Sequence, residues 1–589
     1  MLDLITAPLV AHIAAHLGVP ASAISALITT PAKGVQGDVA IPCYQLAKAR
    51  GTSPPALATE LAAMLATTGI QATPVGPFLN VTFAPTQVAT TLLGVLAQAP
   101  LTALRTSLGA GKTACIDFSS PNIAKHLAFH HIRSTMIGNA LARLYEAAGY
   151  RVVRINFLGD WGTAFGKLIA GWKRDQLTLA DLAGSADKVT FLHDLYVRIS
   201  NAAKQDAGVE VEARHWSKRL EDGDAEARHL WQLFKDVSLQ EFKRVYALLG
   251  VDFDSWKGEA FYEDKMGPVL SELEGKGLTK LDQGALVVDL SSLGFKKPAL
   301  LKRADGGTLY ATRDLAACDD RWKDYQFDRS LYVVDLGQAL HFKEWFAIAR
   351  LLGRPYADRL RHIGFGIVLM WNDDPGEGQQ PGWARVATRK GKVMLLREVL
   401  EEAIDRARAV IAEKNEEIIG EERERIAIAV GVGAVVFNDL KSGRTNDVKF
   451  RFEDALRFDG ETGPYLQFAH ARLCSIERKF SEAHPHAPNG DHSLLTREDE
   501  KQVLLAIARL RAALERSVES DEPSTLASAL LAMAGQVASW LTNGNHDHDA
   551  RILCADSGLS AARLALVRCS RACLGEGLRL IGLQAPERM

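Results

Sequence analysis

Cysteine is scarce in this chain: seven occur among 589 residues, and none forms a CxxC pair. The odd count and wide spacing offer no disulfide framework and no thiolate zinc ribbon, and they suit reduced thiols in a cytoplasmic compartment. Cys569 and Cys573 lie one helical turn apart and read as core thiols. Long apolar runs are missing too. None approaches the ~20 residues needed to span a bilayer, so no membrane partner is expected. Neither sign of charge dominates, and the formal net charge of -2 means that a polyanion must be met by local basic patches. There is no internal repeat and no low-complexity tail. The first residues, MLDLITAPLVAHIAAHLG, carry Asp3 and no basic leader, and their apolar spacing predicts a helix, not a signal peptide. What remains is 47% hydrophobic and 24% charged, ordinary for a soluble globular protein. The length is too great for one core and predicts three domains.

The pattern changes along the chain. Residues 1–110 read as an α+β unit: Ser53-Pro54 is a helix start, and GPFLNVTF (76–83) alternates like a strand. After the linker-like 101–113, TACIDFSS (113–120) predicts a buried strand, 136–150 a helix, and RVVRINFLGDWG (151–162) a strand ending in a glycine-rich turn. Strand, helix, strand is a βαβ unit and implies a parallel sheet. The rhythm returns over 330–353 and 361–370, while about 170–260 is charged and helical, as an insertion would be. From about 415 onward only long helical patterns follow, at 423–440, 462–480, 497–520 and 557–582. The fold class expected is α/β plus all-α: an N-terminal α+β domain (1–110), a Rossmann-type doubly wound domain (111–415) and a helical bundle (416–589).

In doubly wound sheets ligands bind beyond the carboxyl ends of the strands, where a helix N-terminus suits phosphate. PNIAKHLAFHHIRST (121–135) lies there, and it surrounds that position with Lys125, His126, His130, His131 and Arg133. Such donors can stabilise the charge that builds on a phosphoryl group during displacement. The alternative is three histidines that cap a turn and contact solvent. NGNHDHDAR (543–551) alternates histidine and carboxylate, but it reads as a polar interhelical loop, and no metal site is expected.

The block DFSSPNIAK…HHIRSTMIGNALARLYEAAGYRVVRINFLGDWGTAFG resembles the first catalytic block of arginyl-tRNA synthetase, a class I aminoacyl-tRNA synthetase. ALLKRADGGTLYATRDLAA (299–317), YVVDLGQALHFKEWF (332–346), ATRKGKVMLLREVLEEA (387–403) and GETGPYLQFAHARLCSIERK (460–479) extend the likeness in order, to the closing IGLQAPERM. QGDVAIPCYQLAK (36–48) and GPFLN resemble the family's N-terminal domain, which lies against the tRNA elbow; 416–589 resembles its DALR-type anticodon-binding domain. The resemblance implies ATP-dependent ligation of L-arginine to its tRNA through an arginyl-adenylate, with ATP as substrate, Mg2+, release of AMP and pyrophosphate, a monomer, and no DNA partner. Two rivals stay open: a synthetase-derived protein that grips tRNA without charging it, and an adenylating enzyme that passes arginine to another acceptor.

Residue by residue, the resemblance places Asp117, Asn122, Tyr310, Asp314 and Gln338 around arginine, where carboxylates accept the forked hydrogen bonds of a guanidinium. Lys125, His130, His131 and Lys390 fall to catalysis. Lys125, His126, His131, Gly159, His341 and Lys392 fall to ATP, with His341 and the turn from Gly159 to Gly162 shaping the pocket. A solvated basic loop is the alternative for Lys390 and Lys392. In this chain the family's His-x-Gly-His is altered: its first histidine falls on Ala128 and its glycine on His130, with Arg385 where the first lysine of the later loop might stand. A side chain at the glycine position should crowd the adenine unless the turn is remodelled. For tRNA the positions are Asn80 and Phe83 in the first domain, and Tyr465, Gln467, Phe468, Arg472 and Met589 in the last, where stacking on splayed bases is the expected chemistry. An aromatic core stripe is the alternative for the helical ones.

Overall fold

The computed structural model describes residues 1–302, 310–372, 382–385, 394–483 and 490–589. Helix α1 (Leu2–Leu17) opens the chain, and strands β1 (Val39–Pro42), β2 (Gln71–Val75) and β3 (Phe78–Thr82) form an antiparallel sheet in the order β1-β3-β2. As the sequence predicts, Ser53 caps the helix Pro54–Ala66, its hydroxyl accepting from Ala56 N.

The central part is built on β4 (Thr113–Asp117), helix α2 (His131–Ala147) and β5 (Arg151–Ile155). The insertion follows as consecutive helices, among them α3 (Lys188–Gln205) and α4 (Ala225–Leu249). Three short strands, Thr279–Asp282, Ala285–Val288 and Ala299–Lys302, then form an antiparallel sheet that the sequence pattern did not announce. Helix α5 (Tyr310–Tyr325), β6 (Arg329–Tyr332), α6 (Ala339–Leu351) and β7 (Leu360–His362) complete the doubly wound unit. Its sheet runs β7-β6-β4-β5, all parallel, with Asp117 in register with Tyr332. The chain leaves β4 for β5 on one side and returns to β6 on the other, so the switch point lies between the carboxyl ends of β4 and β6. That is where such sheets bind ligands.

Strand β8 (Val368–Asn372) pairs in parallel with β9 (Val448–Phe450), so the last third of the chain is not purely helical. Helices α7 (Leu396–Lys414), α8 (Gly420–Leu440), α9 (Gly463–Ala483), α10 (Glu498–Glu519), α11 (Ser524–His546) and α12 (Ser557–Leu580) make up the rest. By length and composition α11 alone among the described helices could cross a bilayer, yet Leu530, Met533, Val537 and Trp540 bury its apolar side within the bundle. Burial pushes the Cys569 thiol up to about 12, as befits a core thiol. The loop at 543–551 is polar and structural: Asp547 pairs with Arg497, and the described residues contain no metal-ready cluster.

Candidate active site

A cavity of about 910 Å³ opens at the switch point. Asp117 and Tyr332 close its floor from β4 and β6, and His130 and His131 reach it from the start of α2. The turn between β4 and α2 is an unusual path. Ser119, Ser120 and Ala124 all take left-handed φ values of 68°, 47° and 58°, a conformation costly for residues with a Cβ. Buried bonds hold it there: Ser119 Oγ reaches Thr135 and Tyr246, and Ser120 Oγ donates to Asp117 Oδ1 at 2.9 Å.

At the end of the turn the Ala128 N–H donates to His131 Nδ1 at 2.9 Å. Ala128 O stands 3.1 Å from the same nitrogen, so Nδ1 faces both a backbone donor and a backbone acceptor, and Nε2 has no such backbone contact among the described residues. Desolvation first, then His130 and Lys125, push His131 down to about 4, so the ring is neutral at physiological pH. The His130 ring lies 4.2 Å from that of His131. Ala128 itself is buried and forms a β-bridge with Leu395, with Phe129 N donating to Met394 O at 2.9 Å.

Opposite the histidines the wall is acidic. Asp314 on α5 meets His341 Nε2 at 2.6 Å, and although burial opposes a charge on that ring, the carboxylate raises its pKa. Glu259 lines the same cavity, and burial pushes its carboxyl up to about 7 against the pull of Arg313 at 3.4 Å. The GDWG turn places it: Asp160 accepts from Ala260 N at 2.9 Å and from Lys235 Nζ at 2.7 Å, fastening the segment that carries Glu259. Gly159 supports Asn122. A Cβ there would stand 2.0 Å from Asn122 Oδ1, and the two residues form a parallel bridge. One cavity thus joins carboxylates suited to a cation with imidazoles at a helix N-terminus suited to phosphate.

Comparison with known proteins bears on that combination. The family model described as tRNA synthetases class I (R), catalytic domain, matches residues 93–452; models of a DALR anticodon binding domain and of an arginyl tRNA synthetase N terminal domain match 466–589 and 5–83. This chain belongs to the arginyl-tRNA synthetase family. It is 42% identical to an arginine--tRNA ligase of Exiguobacterium sp., covering 96% of each chain. Identity to arginine--tRNA ligase 2 of Bacillus anthracis is 40%, over 96% of this chain and 95% of the relative. The solved arginyl-tRNA synthetase of Thermus thermophilus superposes with a TM-score of 0.77 at 26% identity, covering 95% and 96% of the two chains.

Of the positions that the arginyl-tRNA synthetase motifs pointed to, Asp117, Asn122, His130, His131, Gly159, Asp314, Gln338 and His341 come together around the cavity. Several contacts and placements differ from expectation, that of Asp117 among them. Asp117 already holds a guanidinium, that of Arg321 at 2.7 Å, because the two are buried side by side. His126 is not among the residues lining the cavity; its Nε2 reaches Thr190 on α3 at 2.8 Å, with Asp187 at 3.7 Å. Lys125 is likewise off the lining, its ammonium 5.8 Å above the Tyr196 ring. Asn80 and Phe83 are only 3% and 4% exposed, so neither side chain offers a surface to RNA. Gln467 is buried and donates to Ala429 O and Gln584 O, which makes it a tie between α8 and the C-terminal tail. Phe468 is exposed, Tyr465 and Arg472 are partly so, and Met589 packs at the edge of the core. Lys390 and Lys392 lie outside the described residues, as does the side chain of Tyr310, although Tyr310 opens α5. Sequence reasoning missed Glu259, Arg313 and Arg321. The charged 257–265 stretch carried no motif, and only its contact with the GDWG aspartate singles it out.

Proposed function

We infer that this cavity binds L-arginine, ATP and the 3′ end of tRNA, and that the chain ligates arginine to its tRNA. Asp314 and Glu259 receive the guanidinium of the substrate, Asn122 and Gln338 its amino-acid end, and His341 holds Asp314 in aim. The arginine carboxylate attacks the α-phosphorus of ATP, forming arginyl-adenylate as the bond to pyrophosphate breaks. A terminal ribose hydroxyl of tRNA then attacks the activated carbonyl, and AMP leaves with the bond to its phosphate oxygen. A ring N–H of His131 donates to the charge that grows on the phosphoryl oxygens, as a neutral donor needing no proton uptake. Lys125 joins it by turning away from Tyr196, while Lys390 and Lys392 are retained as phosphate ligands from the 386–393 segment. Mg2+ held by the phosphates of ATP would offset the charge that builds on the departing pyrophosphate.

The three-part division at about 110 and 415 remains our reading, with the helical part taking the anticodon through Tyr465, Phe468, Arg472 and Met589. A cytoplasmic monomer is the working form. The observation that carries the assignment is the pairing of Asp314 and Glu259 with His131 across one cavity at the β4/β6 switch point. Charging of tRNA with labelled arginine in the presence of ATP tests it. Charging is expected with arginine and not with lysine, which leaves the fork of acceptors unpaired. Pyrophosphate exchange without charging would shift the assignment to another acceptor, and neither activity beside retained tRNA binding would leave a tRNA-binding protein.

A further inference from the structure

Arg133 has no place in the reaction so far, yet it is one of the most deeply buried side chains in the protein, at 1% exposure. It lies two residues after His131, in the first turn of α2. Its Nε stands 3.0 Å from Asp439 Oδ1 of α8, itself buried. Nη1 donates to Gly366 O at 3.0 Å and Asn446 O at 2.7 Å, and Nη2 donates to Arg444 O at 3.2 Å. The guanidinium also stands 5.7 Å from the Phe365 ring centre. One planar cation therefore touches the start of the histidine helix, the Phe365–Gly366 strip of the cavity wall, and the segment from Asp439 to Asn446. Gly366 shows how close the fit is, since a Cβ there would stand 2.6 Å from Asn446 O.

That third segment is fastened in turn to the helical part. Arg444 donates through Nη1 to Gly364 O at 2.6 Å and through Nε to Asp521 O at 3.0 Å, at the turn between α10 and α11. Its backbone N–H donates to Glu522. The route from bundle to histidines thus runs through bonded groups, and it reaches the cavity at Arg133, Phe365 and Gly366, beside the histidine helix. None of these bonds touches Asp314, Glu259 or Asn122.

We propose that Arg133 is a positioning residue that sets the nucleotide half of the cavity from the helical domain, so that tRNA held by that domain bears on ATP and not on arginine. The proposal rests on the ligase reading above.

The test uses the full chain with Asp439→Asn, Arg133→Lys and, as a route that leaves the cation intact, Gly366→Ala. Melting curves, tRNA affinity by filter binding, and pyrophosphate exchange across a tRNA titration are measured well below each melting midpoint. The KM for ATP is expected to rise ~10-fold or more, and the acceleration of exchange by tRNA to shrink by a similar factor. The KM for arginine and the affinity for tRNA should stay within about threefold, inside the scatter of independent sites. Arg133→Lys should not preserve function, because a point charge cannot replace a fork that bonds three carbonyls. Lower melting midpoints with unchanged KM values, or equal losses for ATP and arginine, would reduce Arg133 to a strut of the fold and overturn the proposal. Absence of charging by the unsubstituted protein would instead sink the ligase reading, and the two failures are distinct.

Discussion

Two residues in the cavity have pKa values moved in opposite directions, and the movements have different consequences. Glu259 lies at about 7, above its ordinary 4.5. The folded chain therefore binds this proton more tightly than the unfolded chain does, and stability contributed below 4.5 is lost as pH rises through 7. Glu259→Gln should raise the melting midpoint at pH 8 and leave it unchanged near pH 4, while arginine binding weakens ~10-fold or more. Because the substrate cation needs the ionised form, the KM for arginine of the unsubstituted protein should fall between about pH 6 and 8. His131, at about 4, stays neutral across that interval, so the KM for ATP should not follow the same curve. Replacing His131 by Ala should lower the exchange rate by ~10²-fold, read with saturating ATP and arginine. These environments were only partly legible. The sequence places His131 at a helix start and Asp314 beside Arg313, but burial decides their chemistry, and Glu259 entered through a fold contact no local pattern encodes.

Elements came through the sequence better than residues did. The β4-α2-β5 unit, the strand of GPFLNVTF and the long C-terminal helices all follow from periodicity, because each has a buried face long enough to leave a pattern. The strands at Thr279–Asp282 and Val448–Phe450 did not. The first is four residues long, mostly exposed, and paired in a hairpin with Ala285–Val288, so it buries no face that would leave a pattern; the second is three residues long and takes its identity from Val368–Met370, far away in sequence. At the altered histidine motif Ala128 is buried and paired with Leu395, and His130, the residue just before α2, has an α-helical φ of -63°. The GDWG turn gives a further test. Gly159→Ala should displace Asn122 and raise the KM for arginine, measured by exchange kinetics, with little change in the KM for ATP.

At the scale of the whole molecule, the order of the parts was visible in the motifs, but the way they dock was not. Lys501 of α10 and Asp38 of the first domain are 1% and 2% exposed and meet at 3.0 Å, 463 positions apart. Phe83 O accepts from the same ammonium, and Arg509 donates to Asp38 O, which is why Phe83 turned out to be interior. Removing one partner of such a pair costs ~3–5 kcal/mol, so Lys501→Met should lower the melting midpoint by several degrees, and adding Asp38→Asn should recover part of the loss. For anyone who trims this protein to its catalytic and helical portions, the docking has a practical price: deleting the first hundred or so residues strips a lid from α10, and the bare lysine, set among leucines no longer shielded from water, becomes a place where neighbouring copies stick.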